Sequence, residues 1–473
     1  MKRWFLLGSL AAIAVSTPLL AQQVHVAQAR STNHERQEVG ITVYNQNFGL
    51  VREVREIDVP AGRTELEFRD VSQSIEPQTV AIKSLGARLN VLEQNYRYDL
   101  LSPQKLLEKY VGKKVKVYRW NDHTGRDDVY DADLLSVQNG TVMRINGEIV
   151  YDFPGRIAFP SIPQNLIAQP TLVWLIDSSG KQKVEVTYLT QNLGWSADYV
   201  LVVNDSDSGG DLQGWVTLNN NTGTSYENAT LKLVAGDVQR VNQYRYRGGD
   251  MPAATAQAGA GGGFREESFF EYHLYSLQRP TNLLNAEQKQ VTLLEAHDIH
   301  ILKKLIFYGA AYYYRGNYGQ VVSNQKVGVY LDIQNTEQNH MGMPLPKGTV
   351  RVYKADKSGS KQFIGEDAID HTPRDEKVRI KMGEAFDVVG DRKQMRWQSL
   401  GACVSESEWE ISIRNHKDTA VDVEDFEPVG GDWEITQESM PHVKKDAHTF
   451  TFTPHIPARG SVKITYRVRI RWC

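Results

Sequence analysis

The chain has 473 residues, of which 41% are hydrophobic, 10% aromatic and 23% charged, a globular composition that excludes wholesale disorder. With 54 basic and 57 acidic residues the formal charge is −3, too close to neutral for a dedicated nucleic-acid or polyphosphate binder. At roughly 100–200 residues per domain the length predicts two to four domains, and 22 tyrosines with few long helical patterns lean towards β structure.

The first residues read as an address. Lys2 and Arg3 precede an apolar run from Trp4 to Leu20, broken only by Ser9, Ser16, Thr17 and Pro18. Cleavage after Ala21 suits this pattern, and Ala27-Gln28-Ala29 offers a second site. An uncleaved anchor is the alternative. No later segment is long and apolar enough to span a bilayer. The mature chain is therefore expected to be extracytoplasmic (periplasm, cell envelope or secreted), and soluble or peripherally attached.

Residues 31–165 read as an N-terminal β domain. Short strands run through 39–98, with Pro60-Ala61-Gly62 as a turn. One helix is predicted: Ser102 as N-cap, Pro103 at the first helical position, Leu106, Leu107 and Tyr110 on one face, and Gly112 as terminator. Residues 113–160 hold short strands with Asn139-Gly140 and Asn146-Gly147 turns, which suits a small inserted barrel.

Residues 166–320 read as a β-sandwich-like domain. Leu172–Ile176 and Val184–Tyr188 flank Asp177-Ser178-Ser179-Gly180, a hairpin signal. The glycine-rich stretch 248–264 reads as a flexible loop, and Ile299–Leu305 as strand. Residues 321–473 read as a second, C-terminal β-sandwich-like domain. Its last strand turns Val462, Ile464, Tyr466, Val468, Ile470 and Trp472 inward, and Lys463, Thr465, Arg467, Arg469 and Arg471 outward. Glu406, Glu408 and Glu410 form the complementary stripe, so the two strands are expected to be neighbours. A weak echo recurs, with strands ending in Asn at Trp215–Asn219, Val329–Asn335 and Ile411–Asn415. The fold class predicted is all-β: consecutive sandwich-like units behind an N-terminal β domain with a small barrel insert and one short helix.

Catalytic signatures are missing. No His-Glu-x-x-His, P-loop or G-x-S-x-G motif occurs, and no catalytic, cofactor or metal residues are assigned. Two stretches are candidates for interaction. Glu366, Asp367, Asp370, His371 and Arg374 belong to an acidic loop, 366–376, that could serve a cation or acid–base chemistry. Tyr312, Tyr313 and Tyr314 lie among glycines, where their rings could stack on sugars or a partner protein. The two cysteines, Cys403 and Cys473, permit one disulfide in an exported chain. Strand parity weighs against it, because Cys403 shares parity with Trp409 and Ile411 while Cys473 shares that of the polar face.

The runs Gly194-Trp195-Ser196-Ala197-Asp198-Tyr199, Gly214-Trp215-Val216-Thr217-Leu218-Asn219-Asn220 and Leu231–Val238 resemble the domain of unknown function 4139 family, a broad group that includes mucoidy inhibitor A-like proteins. Pro344–Tyr353, Phe363–Asp367, Glu410–Asn415, Trp433-Glu434-Ile435 and Tyr466-Arg467-Val468 carry the resemblance across roughly 170–473. It implies an exported, bacterial-type, mainly β protein and supplies no catalytic residues. The long coiled coil of the mucoidy-inhibitor-like members is replaced here by one short helix and a small β segment.

The expectation is a non-enzymatic envelope protein that binds or scaffolds a protein or envelope polymer. An enzyme acting on envelope glycans through the 366–376 loop and a self-associating surface protein are the alternatives. No nucleic acid or cofactor is expected; the oligomeric state is left open.

Overall fold

A computed structural model describes residues 26–86, 88–163, 166–240 and 264–473. The expected signal peptide, and all of the expected 248–264 loop except Phe264, lie outside the described residues; Phe264 is buried and opens the strand Phe264–Phe269. The fold is all-β, about 65% strand and 5% helix. Two compact units divide the chain. The first gathers residues up to Gln37, Val54–Val71 and Ile82–Glu185, and the second Glu38–Glu53, Ser72–Ala81 and Val186–Cys473.

In the first unit the helix forms where its signals sit. Pro103–Tyr110 is helical, Ser102 Oγ accepts the Lys105 N–H at 3.1 Å, and Gly112 takes a left-handed φ of +80°. After it come the strands Lys114–Asn121, Arg126–Ser136, Val142–Ile145, Glu148–Tyr151 and Arg156–Ala158, with the last pairing beside the first. This is a five-stranded sheet rather than the closed barrel expected. Asn146-Gly147 has positive φ at both positions, as a two-residue hairpin turn requires, and Asn139-Gly140, also both positive, lies in the longer 137–141 connection. Val115, Val117, Leu134 and Met143 form the core, and Tyr110 of the helix packs into it.

The expected turn at Pro60-Ala61-Gly62 is present inside a long extended stretch: the Thr64 hydroxyl donates to the Pro60 carbonyl at 3.2 Å and the Arg55 guanidinium donates to the Arg69 carbonyl at 2.8 Å, so the chain doubles back there. Residues Phe48–Arg69 and Thr171–Gln191 are each one long strand. Gly62 and Gly180, at φ +93° and +80°, sit within them. Their left-handed backbone lets the chain change direction at these points.

In the second unit one sheet runs in the order Lys361–Ile369, Gly348–Ala355, Leu193–Val203, Gly209–Asn220, Glu287–Tyr308, Gln320–Gln334, Lys377–Ser399, Val404–Asn415, Ser461–Arg471 and Asp432–Glu438. Tyr199, Leu212, Ile333, Val350, Ile369 and Ile380 close one core. A second core gathers Phe307, Trp409, Ile411, Phe450, Phe452, Tyr466 and Val468. A further sheet places Tyr226–Ala235 between Arg36–Tyr44 and Tyr272–Leu277.

The asparagine echo has a physical basis, one residue later than expected in its first copy. Asn220, Asn335 and Asn415 end three strands and are buried. Asn220 Nδ2 donates to the carbonyls of Leu283 and Leu284, both at 3.0 Å. Asn335 Nδ2 donates to Met343 and Pro373, both at 2.9 Å. Asn415 Nδ2 donates to Thr419 at 2.8 Å and Pro457 at 3.0 Å. Each Oδ1 accepts a backbone N–H of the following segment, from Thr222, Gly342 and Lys417 respectively. In all three cases a gripped carbonyl lies just before the strand that pairs antiparallel with the one the asparagine ends. One amide thereby satisfies backbone groups that burial would otherwise strand.

The last strand lies against Val404–Asn415, with Glu406 opposite Arg469 and Glu408 opposite Arg467. Ion pairs Glu406–Arg469 at 2.9 Å, Glu408–Arg467 at 3.0 Å and Glu410–Lys463 at 3.1 Å run along the polar face. Cys403 and Cys473 are bonded. Strand parity misleads because both cysteines lie just outside the strands, before Val404 and after Arg471; there the chain is free of the pleat, and the Trp472 N–H donates to the Cys403 carbonyl at 2.9 Å.

Replacing Asn415 by Ala should cost about 2–4 kcal/mol, because several buried backbone groups lose their partners together. Asn415→Asp should cost more, since a carboxylate cannot donate to the Thr419 and Pro457 carbonyls. Chemical denaturation of both variants checks the order.

Candidate functional site

The acidic stretch does not converge. Glu366 and Asp367 lie on the strand Lys361–Ile369, not in a loop, and as neighbours on a strand they point to opposite faces. Glu366 pairs with Arg351 at 3.3 Å, and Arg351 also holds Asp198 at 3.0 Å. Asp367 Oδ2 accepts the Lys381 N–H at 2.7 Å. The Asp370 carbonyl accepts the Thr372 hydroxyl at 2.9 Å, and Arg374 pairs with Glu337 at 2.5 Å. Glu366, Asp367 and Arg374 thus each meet a different partner. Among the described residues no three His, Cys, Asp or Glu side chains gather to hold a metal ion.

His371 is the member of the stretch with the most built surroundings. Its Nδ1 accepts the Lys347 backbone N–H at 3.2 Å, which places the ring proton on Nε2. Asn45 Nδ2 lies 3.1 Å from Nε2, and Asn45 Oδ1 is buried with no partner. Both are met when the amide is turned so that Oδ1 accepts the Nε2–H. Burial, and then the Lys347 charge, hold His371 below the ordinary imidazole range. Nearby, His273 Nδ1 and Glu266 Oε1 lie 2.7 Å apart, with Glu266 buried.

The tyrosine run forms a 3-10 turn, Ala311–Arg315, not a strand. Tyr313 and Tyr314 are buried against Trp409, which removes them as surface candidates. Tyr312 is 55% exposed and meets the ring of Tyr318, 47% exposed, edge-on at 6.4 Å. Two polar surface recesses lie elsewhere. One, of about 340 Å³, is lined by Asn204, Ser208, Asp211, Asp298 and His300; the other, of about 380 Å³, by Glu56, Lys181, Gln182 and Lys183.

A buried charge cluster was not anticipated from the sequence. Arg392, Asp425 and Glu427 are wholly buried in the second core. One guanidinium nitrogen donates to Asp425 Oδ1 at 2.8 Å and to Glu427 Oε1 at 2.5 Å. The Tyr314 hydroxyl donates to Glu427 Oε2 at 2.6 Å and stands 2.8 Å from the Tyr466 hydroxyl. Phe307 lies under the guanidinium, 4.5 Å away. Gly309 makes room: a Cβ there would stand 2.5 Å from Glu427 Oε2. The readable signal was parity, since Asp425 and Glu427 fall in step with buried Val423 and Val429. All three side chains are closed off from solvent and join the strands that carry them.

Two carboxylates against one guanidinium leave a surplus charge that the interior does not tolerate. Burial, and then repulsion from Glu427, push Asp425 well above the ordinary carboxylate range. The folded protein thus binds a proton that the unfolded chain releases near the usual carboxylate value. This contribution to stability is full below that value and is lost as pH rises through the raised one. Asp425→Asn carries no such proton, so thermal unfolding should show it gaining on wild type as pH is raised. Arg392→Met should cost about 3–5 kcal/mol by leaving the carboxylates uncompensated.

A family model described as "Domain of unknown function (DUF4139)" matches residues 184–473, which begins where the long continuous segment of the second unit begins. No curated protein matches the chain. The cores, the buried asparagines that end three strands, the charge cluster and the disulfide of the second unit fall within that match, and the chain belongs to the DUF4139 family.

Proposed function

We propose that the chain is an exported, non-enzymatic envelope protein that binds or scaffolds a protein or envelope polymer. One observation carries this reading: the side chains able to do chemistry are engaged in holding strands and turns, while Tyr312 and Tyr318 offer ring edges to solvent. Glu366 and Asp367 point to opposite faces of one strand and meet separate partners, which does not suit the paired carboxyl groups that hydrolysis of a glycosidic bond needs. Export is supported by the charged and apolar opening of the sequence. The disulfide is in keeping with an oxidising compartment. Among the described residues no helix is long and apolar enough to cross a membrane.

In-cell crosslinking of the tagged protein from the envelope fraction, read by mass spectrometry, tests this. A reproducible protein or glycan adduct that is lost in Tyr312→Ala/Tyr318→Ala is the expected result. Recovery in the cytoplasmic fraction with both cysteines reduced would overturn it.

A further inference from the structure

The segment Met343–Lys347 runs as a strap over the interior of the second unit, and beyond the Asn335 bond to the Met343 carbonyl it is fastened at four points. The Tyr275 hydroxyl donates to the Pro344 carbonyl at 2.9 Å, and the Tyr199 hydroxyl to the Pro346 carbonyl at 2.8 Å. Both tyrosines are wholly buried. Leu345 and Thr372 exchange backbone hydrogen bonds at 2.8 and 2.9 Å. The fourth fastening is the Lys347 N–H to His371 Nδ1. Three of the four cannot change near neutral pH. The fourth is an imidazole, and it works only while neutral, because a protonated Nδ1 donates and cannot accept.

We propose that His371 is an acid-sensitive latch: neutral, it pins the strap 343–347 and the turn bearing Asn45; protonated, it releases them. The charged groups around it set the direction. Lys347 and His273 oppose a positive imidazole, while Asp237 and Asp370 favour one. Asp237 is partly engaged, with Lys347 Nζ at 3.3 Å, and Glu266 is held by His273. Asp370 is exposed, so solvent screens it. Protonation therefore meets a half-buried ring, a backbone N–H aimed at the wrong atom and a neighbouring ammonium. The lowered affinity of His371 for a proton agrees with this balance. The unfolded or released segment takes the proton more readily than the fastened one. The latch is therefore closed above the ordinary histidine range, and its contribution is lost as pH falls through that range towards the lower folded value. The inference concerns regulation of the fold and stands whether or not the binding role above holds.

Hydrogen–deuterium exchange of the full chain tests it, comparing about pH 7.5 with about pH 5 after correction for intrinsic exchange. Protection of peptides covering 343–348 should fall about tenfold per unit of pH below the titration point in wild type. His371→Asn, which can accept the Lys347 N–H but cannot be charged, should hold protection at both values. Equal loss in His371→Asn, or unchanged protection in wild type, would overturn the latch. Retained protection in Ser461–Arg471 shows that the variant folds. If it does not fold, NMR titration of the His371 ring in wild type decides: the latch requires the ring and the 343–348 amides to change over the same pH range, and separate ranges refute it.

Discussion

Every strand that ends inside a protein poses the same problem: the chain must turn away from the ladder, and the backbone groups it leaves behind must still find partners. In the second unit Asn220, Asn335 and Asn415 solve it the same way three times. Each closes the gap between one long strand and the segment leading into its antiparallel neighbour. The excursions between them, 221–286, 336–376 and 416–460, differ in length and content. Only the closing device repeats. A side-chain amide suits the task because it carries donors and acceptors at fixed spacing and no charge, so burial is not penalised once its bonds are made.

The charged groups of the interior are held together at higher stakes, and not every atom is met: Arg392 Nε and Asp425 Oδ2 are buried without a partner. Arg392 gathers two carboxylates and two tyrosine hydroxyls into one network. Such a network is weak evidence for extra stability, since well-packed apolar side chains could replace it. Outside, the Glu and Arg stripes of the last two paired strands act more gently, as exposed ion pairs contribute only a few tenths of a kcal/mol each.

Periodicity carried much of the architecture. The helix at Pro103–Tyr110, the alternation of Ser461–Arg471 and its acidic neighbour could all be read, because each rests on local spacing or on charges that match along a strand. The errors share one cause: local signals were read without the partner strand. Asp177-Ser178-Ser179-Gly180 reads as a hairpin turn, yet it lies within the single long strand Thr171–Gln191. Parity misjudged Cys403 and Cys473 because it was extended past the strand ends. Acidic residues 366–376 looked like a site because sequence distance is short, whereas the strand sends adjacent side chains to opposite faces. Tyr313 and Tyr314 could not be told from Tyr312 without the core they enter.

The two ends of one strand pair are closed by different means. Where Val404–Asn415 and Ser461–Arg471 begin and finish together, the Cys403–Cys473 bond joins them. At the opposite end Asn415 holds the Pro457 carbonyl just before the second strand starts. A load applied to Ser461–Arg471 therefore cannot peel it away one residue at a time from its open side. It must slide the whole ladder in shear, with the glutamate–arginine pairs resisting together. That geometry concentrates mechanical endurance in one strand pair.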